Sequence, residues 1–374
     1  MTVAGIIFSD AHNTRLGSLL NERTLAAIPF AARYRLIDFP LSSMVNADIR
    51  NVGIIVKQNY HSLMNHIGSG APWDLDRKNG GVQILPPFAT KDNTDTVYKN
   101  RLEGLIANRT FLNDIKDDYI IMTSAAKIGS FDFKGLLDEH IKSGAKISVL
   151  YSDDPILSES SGFEREFISC DEEGHVTDGT QAAEKPEGMH YSLETYVVSR
   201  KDLLAIVNEA VRENKLSLRR DFFDPMMARG EMHAVKAKTT AVIINTVDDY
   251  LTASLALLDA KVRASLFKSE NGPVMTKIKD SPPTVYGKDA CVENSLISSG
   301  ANIEGTVKNS IIFRGAHIGK DAVVDHCVVM QNAVISEGVE LNYAVLDKNV
   351  YVSLGCRLSG YITHPFTAER DERI

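Results

Sequence analysis

The side chains able to do chemistry are scattered, and their spacing already excludes several reactions. Four cysteines, Cys170, Cys291, Cys327 and Cys356, form no C-x-x-C pair and have no matching histidine pair. A zinc site is therefore not expected, and the thiols read as reduced and structural. Asp248 and Asp249 follow Thr246 at the head of an apolar-striped segment. Carboxylates are favourable at a helix N-terminus, so both read as first-turn residues before they read as metal ligands. Arg15, read alone, is a surface arginine or half of an ion pair. The Arg33 guanidinium offers a planar fork suited to phosphate. The lone tryptophan, Trp73, sits among glycines and prolines and reads as a packing anchor.

Two kinds of element must position these groups. Up to about residue 270, short apolar runs alternate with helical patterns. Val3–Phe8, Val52–Val56, Tyr119–Met122 and Ile147–Leu150 read as buried strands, and Leu102–Leu112 and Lys134–Ser143 as helices. This order predicts a doubly wound, Rossmann-like α/β domain over residues 1–270. Glu166–Cys170 and His175–Thr177 read as a strand pair across a turn, and a helix is expected from Thr246 to Val262. Residues 68–95 read as long loops. A Pro/Gly-punctuated linker spans 271–284. Beyond it, over 285–374, aliphatic residues recur every six positions, as in I318-GKDAV, V324-DHCVV and M330-QNAVI. This period predicts a hexapeptide-repeat, left-handed parallel β-helix, with Cys327 on a small-residue position.

Composition narrows the class further. The chain has 374 residues, 44% hydrophobic and 24% charged, with a net charge of −8. Two domains are expected, and non-specific nucleic-acid binding is not. The start MTVAGIIFSD lacks a basic lead, and no long apolar run occurs. A cytoplasmic protein without membrane association is expected.

The segment around Tyr34-Arg35-Leu36-Ile37-Asp38-Phe39-Pro40-Leu41-Ser42, together with the tail, resembles the glucose-1-phosphate adenylyltransferases, or ADP-glucose pyrophosphorylases. These enzymes join ATP and glucose 1-phosphate into ADP-glucose and pyrophosphate, in glycogen synthesis. The resemblance implies backbone donors for phosphate, a lysine on the developing charge, and magnesium held by carboxylates. Each part is altered here. The glycine-rich loop ending in G-T-R-L becomes Asp10-Ala11-His12-Asn13-Thr14-Arg15-Leu16, in which Thr14 and Arg15 are the residual nucleotide-loop residues. Asn13 stands in the degenerate stretch, and Asp10 adds negative charge there. The R-x-K-P-A lysine is replaced by Leu25. The metal aspartates of G-D-H and D-V-G-T fall on Ala125 and Ile243. No catalytic residue and no metal are therefore expected in this chain.

Other matches survive. Glu184-Lys185-Pro186 matches the E-K-P motif that contacts sugar phosphate, with Lys185 alternatively a solvated turn lysine. Asp95 lies in a segment resembling G-T-A-D-A. Arg33 stands at the lysine of G-G-K-Y, a position associated with activators, and is the candidate effector residue. The whole pattern resembles the non-catalytic, regulatory second subunit of the bacterial enzymes. The implied partner is a catalytic paralogue carrying Mg2+ in a hetero-oligomer, expected to be a tetramer, with a phosphorylated small molecule as effector. The alternative is an active sugar-1-phosphate nucleotidyltransferase in which Asp248 or Asp249 substitutes for a lost metal ligand. Hexapeptide acyltransferase chemistry through His317, His326 or His364 is not expected, because the tail has few coils and no extended acyl-donor loop.

Overall fold

The computed structural model describes residues 1–10, 14–87, 98–159 and 162–374. Among these, nine strands form one mixed sheet. They are β1 (Val3–Phe8), β2 (Asn51–Ile55), β3 (Gly81–Leu85), β4 (Tyr119–Ser124), β5 (Ile147–Ser152), β6 (Arg165–Cys170), β7 (Val176–Ala182), β8 (His190–Ser199) and β9 (Met232–Lys236). The order is β7-β6-β8-β4-β1-β2-β3, with β5 pairing β8 and β9. The pairs β4-β1, β1-β2 and β2-β3 are parallel, whereas β8 runs antiparallel to β4 and β5.

Alternate residues of each central strand feed two separate cores. Ile7, Ile121 and Leu150 face one, while Ile6, Ile120 and Val149 face the other. This is the period-2 rule applied to a sheet covered on both faces. Gly5 lets the buried helix Asp38–Asn46 approach the sheet, since a Cβ there would lie 2.3 Å from the Met44 sulfur.

Three expectations need correction. Residues 68–95 are not all loop, because β3 adds a parallel edge strand to β2. The helix expected over 102–112 is two, Arg101–Ala107 and Arg109–Asp114. Asn108 divides them, its side-chain amide bonding back to the Gly104 carbonyl at 2.8 Å and so competing with the helix ladder. The helix from Thr246 has its capping box but stops at Ala256, and a second runs Ala260–Phe267 with Asp259 as its cap. Trp73 is fully buried, edge-on to His66.

From Val285 onward, fifteen short strands lie in three five-stranded parallel sheets, a left-handed β-helix. The six-residue period is locally shortened. Successive strands begin at Val323, Val328, Val334 and Glu340, so one side of this coil spans five residues. Aliphatic residues such as Ile303, Ile318, Ile335 and Val352 stack along the axis. Cys327 is fully buried among them, and burial pushes its thiol up to about 12.

One sheet of the prism faces the α/β domain. Ile311, Phe313, Val328, Met330 and Val345 join the same apolar cluster as Leu25, Phe30 and Tyr250. The segment before Val285 is also fixed, since Ser42 Oγ receives the Met275 N–H at 2.8 Å. Among the described residues, no helix is long and apolar enough to cross a membrane.

Candidate functional site

A cavity of about 750 Å³ is lined by residues of β6 and β8, among them Arg165, Glu166, Glu194 and Tyr196, and by Arg101 and Asn245. Thr14 and Arg15 form one lip. The Arg15 backbone is tied to another lining residue, its N–H donating to the Asn245 carbonyl at 2.8 Å. Its exposed guanidinium lies 5.8 Å from the Phe163 ring centroid, at the edge of the cavity. Asn13 and Asp95 lie outside the described residues.

The positions at which the resemblance implies metal carboxylates are part of the core. Ala125 is fully buried, and its N–H donates to the Phe8 carbonyl at 3.0 Å. Ile243 is 1% exposed and sits in a two-stranded ladder opposite Lys127. A magnesium ion requires oxygen ligands, and these side chains supply none. Among the described residues, the one cluster with metal-ligand spacing is Asp171, Glu173 and His175, an exposed turn outside this cavity. Ala125 and Ile243 therefore do not fit the metal that the resemblance implies at their positions.

Asp249 is no substitute ligand. Its buried carboxylate accepts the N–H groups of Ser158, Asn245 and Thr246 and pairs with Arg165 at 2.7 Å. Asp248 is 8% exposed in the same helical turn. Leu25 is fully buried, and its N–H donates to Asp10 Oδ1 at 3.1 Å. The Asp10 carboxylate thus occupies the backbone donor of the residue at the lysine position. Burial pushes its pKa up, against the pull of the Leu25 and Ser9 hydrogen bonds and Lys57.

Within the cavity the chain neutralises its own cations. Glu194 pairs with Arg101, and its Oε1 lies 3.1 Å from Lys127 Nζ. Burial opposes ionisation of Glu194, but Arg101 and Lys127 outweigh it and hold the carboxyl down to about 2. Glu166 accepts the Tyr196 hydroxyl at 3.0 Å. Burial, reinforced by Glu194, pushes Glu166 up despite Arg219 and Arg101. None of these four, Arg101, Lys127, Glu166 and Glu194, was singled out from the sequence. The available signal was charge inside apolar strands, as in YSLETYVVS and SAAKI, since buried charges demand partners.

Glu184 and Lys185 are exposed and outside the cavity lining. The Lys185 ammonium donates to the Asp153 carbonyl at 2.8 Å and stands 5.3 Å from the Tyr191 ring centroid. Arg33 is exposed and follows Ala31 and Ala32, whose φ values of 51° and 61° are left-handed. Cations of this segment and of the β-helix act on one another. Burial holds Arg35 down to about 10, helped by Arg23 against Asp38. Burial, Arg35 and Arg23 hold Lys348 down to about 7. Burial and the neighbouring Arg33 lower Arg314.

Residues 4–256 match the nucleotidyl transferase family, and residues 283–360 match the GlmU-like C-terminal hexapeptide family. The glucose-1-phosphate adenylyltransferase of Thermotoga neapolitana is 33% identical over 328 residues, covering 86% of this chain and 76% of its own. This chain belongs to the glucose-1-phosphate adenylyltransferase family. The Fervidobacterium nodosum member is 28% identical across 100% of this chain and 88% of its own length. The Clostridium perfringens member is 28% identical over 95% and 90%. Within that family, this chain has aliphatic side chains, Ala125 and Ile243, where the resemblance implies metal carboxylates, and an internal ion-pair cluster of Arg101, Lys127 and Glu194.

Proposed function

We propose that this chain is a regulatory and structural subunit of a glucose-1-phosphate adenylyltransferase in glycogen synthesis, with little or no catalysis of its own. The observation that carries this reading is the burial of Ala125 and Ile243 in the apolar core. Without a metal, the chain lacks both charge neutralisation and phosphate alignment for adenylyl transfer. Mg2+ then belongs to a catalytic paralogue, with which this chain assembles in a hetero-oligomer. Its contribution is differential binding, favouring an active arrangement of the neighbour.

The cations between the two domains give that arrangement an effector. Arg33, Arg35, Arg314 and Lys348 carry a local positive surplus, because Asp347 is committed to Arg23, and Asp38 to His66 and the Arg35 N–H. A phosphorylated small molecule fits this chemistry. The test compares this chain, the catalytic paralogue and the mixture for ADP-glucose synthesis with magnesium. The mixture is expected to be faster and more effector-responsive than the paralogue, with this chain alone inactive. Arg33→Ala is expected to weaken the effector response while leaving the unstimulated rate of the mixture unchanged. A mixture that behaves as the paralogue alone defeats the reading.

A further inference from the structure

We infer that Glu194 is a tethered occupant of an oxyanion site made by Arg101 and Lys127, so that the cleft of this chain excludes phosphorylated ligands. Three observations converge on it. The first is backbone geometry. Glu194 has φ of 49°, the left-handed region that favours glycine. It lies where the pairing of β8 with β5 slips between Ser192 and Thr195. Such irregularities re-aim a side chain and persist where the surroundings over-determine them.

The second is charge. Lys127 is 2% exposed and Arg101 11% exposed, and both direct their charge at this one carboxylate. An ammonium and a guanidinium around two acceptor oxygens form the donor set that holds phosphate elsewhere. The third is position. Glu194 and Arg101 both line the 750 Å³ cavity, so the pair faces ligand space and not the core. The other charged groups lining the cavity are Glu166, which accepts the Tyr196 hydroxyl, Arg219, 3.5 Å from Asp224, Arg165, paired with Asp249, and Arg15 and Glu164. The strained residue therefore supplies from within the chain the negative charge that a ligand would bring.

The inference concerns the same cleft as the proposed function but needs no catalytic partner. Binding is measured on this chain alone, so a failed mixture assay leaves it standing, and its failure leaves the regulatory reading standing. The probes are inorganic phosphate and glucose 1-phosphate, titrated calorimetrically into wild type, Glu194→Gly, Glu194→Gln and the double variant Glu194→Gly/Lys127→Met. Glycine fits the backbone and frees both cations. Glu194→Gly is expected to bind phosphate about 10- to 100-fold more tightly than wild type. The double variant should lose that gain. Phosphate held by the interdomain cations contributes equally to every variant, so the difference isolates the cleft. Glu194→Gln keeps the side-chain volume and guards against a Glu194→Gly chain that does not fold. It should move in the same direction by a smaller factor. Wild-type affinity equal to that of both Glu194 variants, or a gain that survives Lys127→Met, overturns the inference.

Discussion

Removing Asp347 should loosen the contact between the two halves of the chain. Arg23 Nη1 donates to Asp347 Oδ1 at 2.9 Å, and Nη2 stands 2.9 Å from Oδ2. The two side chains are 2% and 1% exposed. They come from the segment after the first strand and from the β-helix, so the pair bridges the domains. Taking one partner from a buried pair leaves an uncompensated charge and costs about 3–5 kcal/mol. Here the stranded Arg23 would also face Arg35 and Lys348. Asp347→Ala should therefore fall in that range, and Asp347→Asn, which keeps an acceptor, about 1 kcal/mol below it. The assay is urea unfolding followed by circular dichroism. With a slope of ~3 kcal/mol/M, the midpoint of the transition involving this interface should fall by roughly 1–1.7 M. The double variant Arg23→Met/Asp347→Leu should lie close to wild type, because an apolar replacement leaves no stranded charge. Inorganic phosphate should restore part of the Asp347→Asn loss by binding the released cations. An Asp347→Ala midpoint within about 0.2 M of wild type would refute the reasoning, since burial of a lone guanidinium could not be that cheap.

Two further outcomes follow from the same structure. Lys348→Met should stabilise the chain most below about pH 7. A folded pKa near 7 means the lysine is charged there despite its burial, and the penalty fades as pH rises from 7 toward the ordinary 10.5. The fall to about 7 sets a ceiling of ~5 kcal/mol, and partial exposure reduces the expected gain to ~1–2 kcal/mol. Melting temperatures of both proteins at pH 6 and pH 9.5 check the sign, and a gain that grows with pH contradicts it. Ala125→Asp should neither restore magnesium-dependent ADP-glucose synthesis nor fold well, because it buries an unpaired carboxylate in the core at a cost of roughly 3 kcal/mol or more. Activity and urea stability measured on the same preparation decide it.

Much of the frame was legible in the residues. The apolar runs marked β1, β2, β4 and β5, and the six-residue recurrence marked the β-helix, because both periods are set by local backbone geometry. The capping box at Thr246 was equally local. Breaks at Asn108 and after Ala256 were missed, since each depends on one side chain or turn competing with a continuous apolar stripe. The strand Gly81–Leu85 was missed because its glycine and proline surroundings carry loop signals, and only its neighbour Asn51–Ile55 makes it a strand.

The site divides along the same line. Which residue types, Leu25, Ala125 and Ile243, stand where the resemblance implies phosphate and metal groups is a property of the sequence. What the remaining charges do was decided by tertiary structure. Arg101, Lys127 and Glu194 are far apart in the chain, as are Arg23 and Asp347, yet the first group meets at the cavity wall and the second in a nearly dry interior. The physical reason is that desolvation and Coulomb attraction act through space at a few ångströms, while sequence patterns report only the periodicity of a chain's own backbone.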